Sequence, residues 1–305
     1  MLLRRVRLIG LRSSAIALAI IAGRWAVIHY GSQHKNDVTT TSLRPTTSST
    51  PTSSSITSLP STSTSLNPGT LPGGYAQPQV LGPTATGPLD GRRVLVDPGH
   101  NGGNASRPDL INALVPDGAG SKACDTTGTA GTDGFPESTF TLLLARQLVS
   151  DLRAQGATVV MTRNTYTGVG PCVNIRAQEG NSPPADVAIS LHADGAPSGD
   201  YGFTVLQPAG VGPSRSITTA SHRLALDIRN ALTAGGITMT NYLGVNGVST
   251  RSDLAGLNLS VVPKVLVEFG NMKNSTDLAN MESAPWRARV AQHVTNALVE
   301  FVTIP

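Results

Sequence analysis

The sequence predicts an α/β fold: a single domain with a mostly parallel, mixed sheet flanked by helices, and with polar groups gathered at the carboxyl ends of the strands. Two observations carry that prediction. Short runs rich in Val, Ile and Leu alternate, over the second two-thirds of the chain, with longer segments whose apolar residues recur every three or four positions. Three of those runs also deliver a polar group in the same way: "VLVDPGH" ends at His100, "VAISLH" ends at His192, and "KVLVEFG" carries Glu268 near its end.

The elements can be justified in order. Val94, Leu95 and Val96 form a buried strand that Asp97 and Pro98 are expected to stop, and Gly99 permits a tight turn before His100. A long loop is expected to run to Pro136. "ESTFTLLLARQLVSDLRAQG" then places Phe140, Leu144, Leu148 and Leu152 four residues apart and closes on Gly156, the pattern of an amphipathic helix. "ATVVMTR" (157–163) is β-branched and reads as the next strand, a short helix is centred on 175–179, and "DVAISLHAD" is another buried strand. Residues 202–207 ("GFTVLQ") read as a strand, 216–234 as a helix and 265–269 as a strand. A closing helix over 284–302 carries Val290, Val294, Leu298 and Phe301 on one face.

The remainder of the chain reads differently. Residues 1–31 open with Arg4, Arg5, Arg7 and Arg12 and no acid, followed by an uncharged, mostly apolar run over 15–23 that Arg24 interrupts. That run falls short of the roughly 20 residues that span a bilayer, so the segment reads as an export signal, either cleaved or retained as an anchor. Between Thr39 and Leu66, 23 of 28 residues are Ser, Thr or Pro. Such a composition cannot bury enough apolar surface to offset chain entropy. Residues 32–90 are therefore expected to be a disordered linker, and 91–305 the folded domain. The chain is therefore expected outside the cytoplasm, with any membrane contact confined to the N-terminal segment.

Charge and cysteine content narrow the partners. The net charge of +4 owes part of its excess to the basic leader, aromatics are 4% of the chain, and no basic stripe is present. Nucleic-acid binding is excluded on that basis. A monomer is expected. Cys124 and Cys172 both sit in loops rich in Gly, Pro and Thr ("SKACDTTG", "GVGPCVNIR") of a chain that reads as exported, so a disulfide is expected between them. Neither belongs to a C-x-x-C pair, which argues against a cysteine metal site.

His100 and His192 at strand ends are joined by Glu137, which opens the first amphipathic helix after Pro136. Two imidazoles and a carboxylate make a catalytic zinc set that leaves one position open for water. Taken singly, each has an ordinary reading: Glu137 as a first-turn acid favoured by the helix dipole, each histidine as a core residue satisfied by backbone. Glu268 resists that treatment, because an acid flanked by "VLV" and "FG" in a buried strand costs several kcal/mol unless it is paired or coordinated. His222 and His293 fall inside helical segments and read as surface or packing residues.

The ordered set "VDPGH", "ESTFTLLLARQL", "SLHAD" and "VLVEFGNMKN" resembles the zinc-dependent N-acetylmuramoyl-L-alanine amidases, hydrolases of the bacterial cell wall, over about residues 92–302. The spacings of 37 (100 to 137), 55 (137 to 192) and 76 (192 to 268) residues fit that family. The resemblance implies that His100, Glu137 and His192 hold one Zn2+ per chain and that Glu268 is the catalytic carboxylate. It implies peptidoglycan or a muropeptide as substrate, cut at the amide bond between N-acetylmuramic acid and L-alanine. The cysteine pair looks like that of the exported actinobacterial members. Asn271 departs from the aromatic or aliphatic residue the family commonly has after V-E-x-G. The interval between His192 and Glu268 is too short for the extra inhibitory helix of some relatives, which implies an ungated site. Two other readings use the same residues: a zinc peptidase cutting within the stem peptide, and a non-catalytic wall-binding protein.

Overall fold

The computed structural model describes residues 74–304; the expected export signal and most of the expected linker lie outside them. In chain order the elements are β1 (Gln79–Leu81), β2 (Arg93–Pro98), α1 (Pro108–Ile111), β3 (Leu114–Pro116), β4 (Ser121–Ala123), α2 (Glu137–Ala154), β5 (Thr158–Met161) and α3 (Val173–Asn181). There follow β6 (Val187–Asp194), β7 (Thr204–Pro208), α4 (Thr218–Ala234), β8 (Val248–Arg251), α5 (Ala255–Asn258), β9 (Lys264–Asn271), α6 (Ser275–Glu282) and α7 (Ala284–Thr303).

Seven strands form one sheet in the order β1-β5-β2-β6-β9-β7-β8, and β3 and β4 make a separate hairpin. β5, β2, β6 and β9 run parallel, which places their carboxyl ends along one edge. β1 is antiparallel to β5 at one side and β7 antiparallel to β9 at the other. The sheet is thus mixed and mostly parallel, as the alternation of runs and helices predicts.

The period-two alternation of each strand sorts its side chains between two unequal layers. Val94, Val96, Val159, Met161, Val187, Ile189, Leu191, Val265 and Val267 join the large core, where α2, α4 and α7 contribute Phe140, Leu144, Leu148, Leu152, Leu224, Ile228, Val290, Val294 and Leu298. Burial on that scale, at about 1.5–3 kcal/mol for each large aliphatic side chain, dominates the stability of the fold. The other face is thinner. Leu95, Val160 and Ala188 form one small cluster there, and Leu206, Leu257 and Leu266 form another. Its remaining inward positions are polar, and they include Asp97, Ser190 and Lys264, all buried.

Three expectations are corrected. The linker does not extend to residue 90: β1 pairs with β5, Leu89 is fully buried, and Tyr75 bridges to Val169. Gly- and Pro-rich composition hid this segment because its few apolar residues follow no period. Asp97 and Pro98 do not stop β2, which continues through both because Asp97 finds ionic partners in the thin layer. The long loop before Pro136 holds α1 and the β3–β4 hairpin, elements of four residues or fewer that show no period. β8, α5 and α6 are likewise too short to have been read from periodicity. Cys124 and Cys172 form the expected disulfide, across a sequence separation of 48 residues. Among the described residues no helix is long and apolar enough to cross a membrane.

Candidate active site

His100 lies two residues beyond the end of β2, with a φ of 55°. A left-handed backbone is unusual for a residue with a side chain, and it persists only where surrounding contacts over-determine it. Two buried arginines supply those contacts. Arg163, just past β5, donates from Nε to the Pro98 carbonyl at 3.0 Å and from Nη2 to the Gly99 carbonyl at 2.8 Å. Arg176 in α3 donates from Nη1 to the Pro98 carbonyl at 2.8 Å and from Nη2 to the His100 carbonyl at 3.0 Å. Past its last ladder partner the strand would leave these carbonyls buried and unpaired, and the two guanidinium groups satisfy them.

Glu137 is the first residue of α2, 3% exposed, and its carboxylate sits between the two histidines. His100 Nε2 is 3.3 Å and His192 Nδ1 is 3.0 Å from Glu137 Oε1. The Ala193 amide donates to the same oxygen at 3.2 Å, and the Thr129 amide donates to Oε2 at 2.9 Å. One ligand atom from each of His100, Glu137 and His192 can be chosen so that all lie within 4.8 Å of one another, an arrangement able to hold a metal ion. The approach is close enough to demand glycine at two places. A Cβ on Gly99 would run into the His192 ring, and one on Gly128, where φ is +75°, would come within 2.8 Å of both Glu137 Oε2 and His100 Cδ2.

Glu268 stands directly opposite His192 in the β6–β9 ladder, on the thin-layer face. Its Oε2 is buried with no hydrogen-bond partner. A cleft of about 300 Å³ is lined by His100, His192, Glu268, Lys122 and the Leu254–Leu257 segment at α5. Between His192 and Glu268 the chain spends its length on β7, α4, β8 and the four-residue α5. His222 and His293 take no part in the site: His222 is exposed and its Nδ1 lies 2.9 Å from Gln207 Oε1, while the His293 ring packs beside Gly235.

The charges agree with this geometry. Burial works against ionisation of Glu137, but His100 and His192 beside it outweigh burial and hold its carboxyl well below the usual range. Burial likewise works against a charged His100, and the Glu137 and Asp125 carboxylates overcome it, raising the imidazole to about 10. Glu268 is pushed well above the usual carboxylate range, first by burial and then by the negative charges of Glu137 and Asp194. Together these shifts describe a pocket that favours positive charge at the point where the three side chains converge.

The N-acetylmuramoyl-L-alanine amidase family model (Amidase_3) matches residues 94–300. The chain belongs to this family. It is 40% identical over 216 residues to N-acetylmuramoyl-L-alanine amidase Rv3717 of Mycobacterium tuberculosis, a match covering 70% of this chain and 88% of that protein. The apo form of the amidase Ami1 from Mycobacterium abscessus superposes with a TM-score of 0.66 at 43% identity, covering 70% of this chain and 99% of that one. Ami1 from Mycobacterium smegmatis gives 0.65 at 38% identity, with 70% and 98% covered. The four motifs of this amidase thus lie within the matched region, and all four side chains read from them as site residues line or adjoin the same cleft.

Several residues around the site escaped the reading of the sequence. Asp97 accepts from Arg176 Nη1 at 2.9 Å, from Thr162 Oγ1 at 2.7 Å and from Ser190 Oγ at 2.6 Å. Asp125, in the loop after β4, lies 3.3 Å from His100 Nδ1 and accepts from Arg176 Nη2 at 3.0 Å. A charged residue next to an apolar strand, as in "VLVD" and "VVMTR", was the available signal for Asp97 and Arg163. Nothing local marks Asp125 or Arg176.

Proposed function

We propose that this chain is a zinc-dependent amidase that hydrolyses the bond between the lactyl carbonyl of N-acetylmuramic acid and the amine of L-alanine, releasing the stem peptide from the glycan. The observation that carries the reading is the convergence of His100, Glu137 and His192 beside Glu268 in one cleft of a chain from the amidase family. The donor set fits zinc. Two ligand atoms bound tetrahedrally at about 2.0–2.1 Å lie about 3.3 Å apart, and the two imidazole nitrogens stand 3.3 and 3.0 Å from Glu137 Oε1.

His100, Glu137 and His192 would hold the ion, which when bound supplies a Lewis acid that acidifies water and polarises an amide carbonyl. Glu268 accepts a proton from the attacking water as the new C–O bond forms. It returns that proton to the L-alanine nitrogen as the C–N bond breaks, so the products are a muramic-acid carboxyl and a free peptide amine. Burial, with the negative charges of Glu137 and Asp194, raises the affinity of its carboxyl for a proton above that of an ordinary carboxylate. Leu254, Leu257 and Leu266 form an apolar wall on one side of the cleft.

In this reading the chain is exported, acts as a monomer in the periplasm or cell wall, and is kept near its substrate by the Ser/Thr/Pro-rich tether. Zinc content of the purified chain and mass spectra of digested muropeptides test the proposal. An intact stem peptide with a free L-alanine amine is the expected product. Cleavage inside the peptide would make it a zinc peptidase, and stoichiometric zinc without turnover would make it a wall-binding protein.

A further inference from the structure

We propose that Asp125 is the positioning residue for the His100 imidazole, and that the Cys124–Cys172 disulfide keeps it in place. The proposal rests on the zinc reading of the site.

The two nitrogens of His100 face opposite environments. Nε2 points to Glu137 Oε1 at 3.3 Å, on the side where the three ligand atoms converge. Nδ1 faces three oxygens: the Thr126 carbonyl and Thr126 Oγ1, each at 3.2 Å, and the charged Asp125 Oδ1 at 3.3 Å. An imidazole whose Nδ1–H faces a carbonyl with a carboxylate beside it has its Nε2 lone pair free, its ring orientation fixed and its basicity raised. Thr126 is the next residue of the same loop, so these oxygens stay or leave together.

Asp125 is itself gripped. It is 5% exposed, and its second oxygen accepts from Arg176 Nη2 at 3.0 Å. The same Nη2 donates to the His100 carbonyl at 3.0 Å. One nitrogen therefore fixes both the backbone of His100 and the carboxylate that holds its ring. The disulfide closes the circuit: Cys124 immediately precedes Asp125, and Cys172 immediately precedes α3, where Arg176 lies one turn on. The Val173 amide donates to the Cys124 carbonyl at 2.7 Å beside it. Neither cysteine touches an imidazole, yet the bond between them sets the spacing of the Asp125–Arg176 pair on which the ring depends.

The test is the zinc dissociation constant of the full chain, measured by competition with a chelator of known affinity. Asp125→Asn keeps the shape and removes the charged acceptor; the expected result is about 10- to 100-fold weaker zinc binding. The metal-free form should retain a cooperative melting curve. The visible bands of the cobalt-substituted variant should also shift, which a purely structural role for Asp125 would not produce. The Cys124→Ala/Cys172→Ala variant removes the bond without leaving thiols that could themselves bind zinc, and should bind zinc several-fold more weakly while still folded. If Asp125→Asn does not fold, Asp125→Glu, which keeps the charge and displaces the carboxylate by one methylene, decides by the same two readouts. Unchanged zinc affinity and cobalt spectrum in the folded Asp125 variant overturn the proposal, and unchanged affinity in the folded double-alanine chain overturns the part assigned to the disulfide. A wild-type chain that binds no zinc overturns the underlying metal reading instead.

Discussion

Replacing Glu268 with glutamine separates proton transfer from metal binding, and the structure predicts effects of opposite sign on rate and stability. Glutamine keeps the size of the side chain opposite His192 but cannot carry the proton between water and leaving amine. General acid–base catalysis contributes about 10²- to 10⁴-fold, so turnover of a muropeptide by the zinc-loaded variant should fall by that order. Stability of the metal-free protein should rise. The folded state holds the Glu268 carboxyl well above its ordinary value of 4.5, so it retains a proton that the unfolded chain releases. The stability lost this way is absent below the unfolded pKa and accumulates as pH rises toward the folded one. Glu268→Gln should therefore melt higher than wild type near pH 7 and at the same temperature near pH 4. Glu137→Gln should behave in the opposite way, because its carboxyl is held below the usual range and stabilises the fold once ionised. That variant should melt lower at neutral pH and lose zinc, an amide being a poor ligand. Zinc content, turnover and calorimetry on the two variants side by side decide the matter. The assignment is refuted if Glu268→Gln retains full turnover, or if it loses zinc while Glu137→Gln keeps it.

Three further outcomes follow from the same structure. Chelation of the metal should abolish hydrolysis, and added zinc should restore it; full activity in protein shown by elemental analysis to be metal-free would exclude the mechanism. A chain beginning at Gly74 should fold and cut soluble muropeptides. One beginning at Gly91 loses β1 and the fully buried Leu89, worth about 1.5–3 kcal/mol for that leucine alone, and should melt markedly lower. Glu179 in α3 has both oxygens buried without a donor, and burial, then Asp97, raises its carboxyl to about 8. Its folded pKa is the higher one, so stability should fall as pH rises from about 4.5 to about 8. Glu179→Gln should flatten that fall and melt higher than wild type at pH 8, with no difference below pH 4.5; parallel melting curves at every pH would refute it.

Much of the fold was legible because long periodic segments report their own burial. Phe140, Leu144, Leu148 and Leu152 lie on one face of any helix they form, and the runs around Val94, Val187 and Val265 are apolar at consecutive positions because central parallel strands are buried on both faces. The four residues proposed for the site stood out for a related reason. His100, His192 and Glu268 are polar groups at or near the ends of such runs, and Glu137 opens a helix, so each stands out against its neighbours. Short elements carry no such signal, which is why β1, the β3–β4 hairpin and β8 were not seen.

What the sequence determined by itself, then, was the order of the long strands and helices and the polar groups at their ends. Only the tertiary structure decided how those groups are aimed. The strand order β5-β2-β6-β9 brings the ends of three non-consecutive strands to one edge. It also creates the thin polar layer in which Asp97 and Asp125 pair with Arg176, which holds the His100 carbonyl while Asp125 faces its ring; from the α2 side Arg163 holds the Gly99 carbonyl before it. Periodicity records which side chains are buried together, since hydrophobic burial is non-directional. Pairing between single charged groups far apart in the chain leaves no period behind, because each depends on one distance and one angle that exist only once the chain has folded.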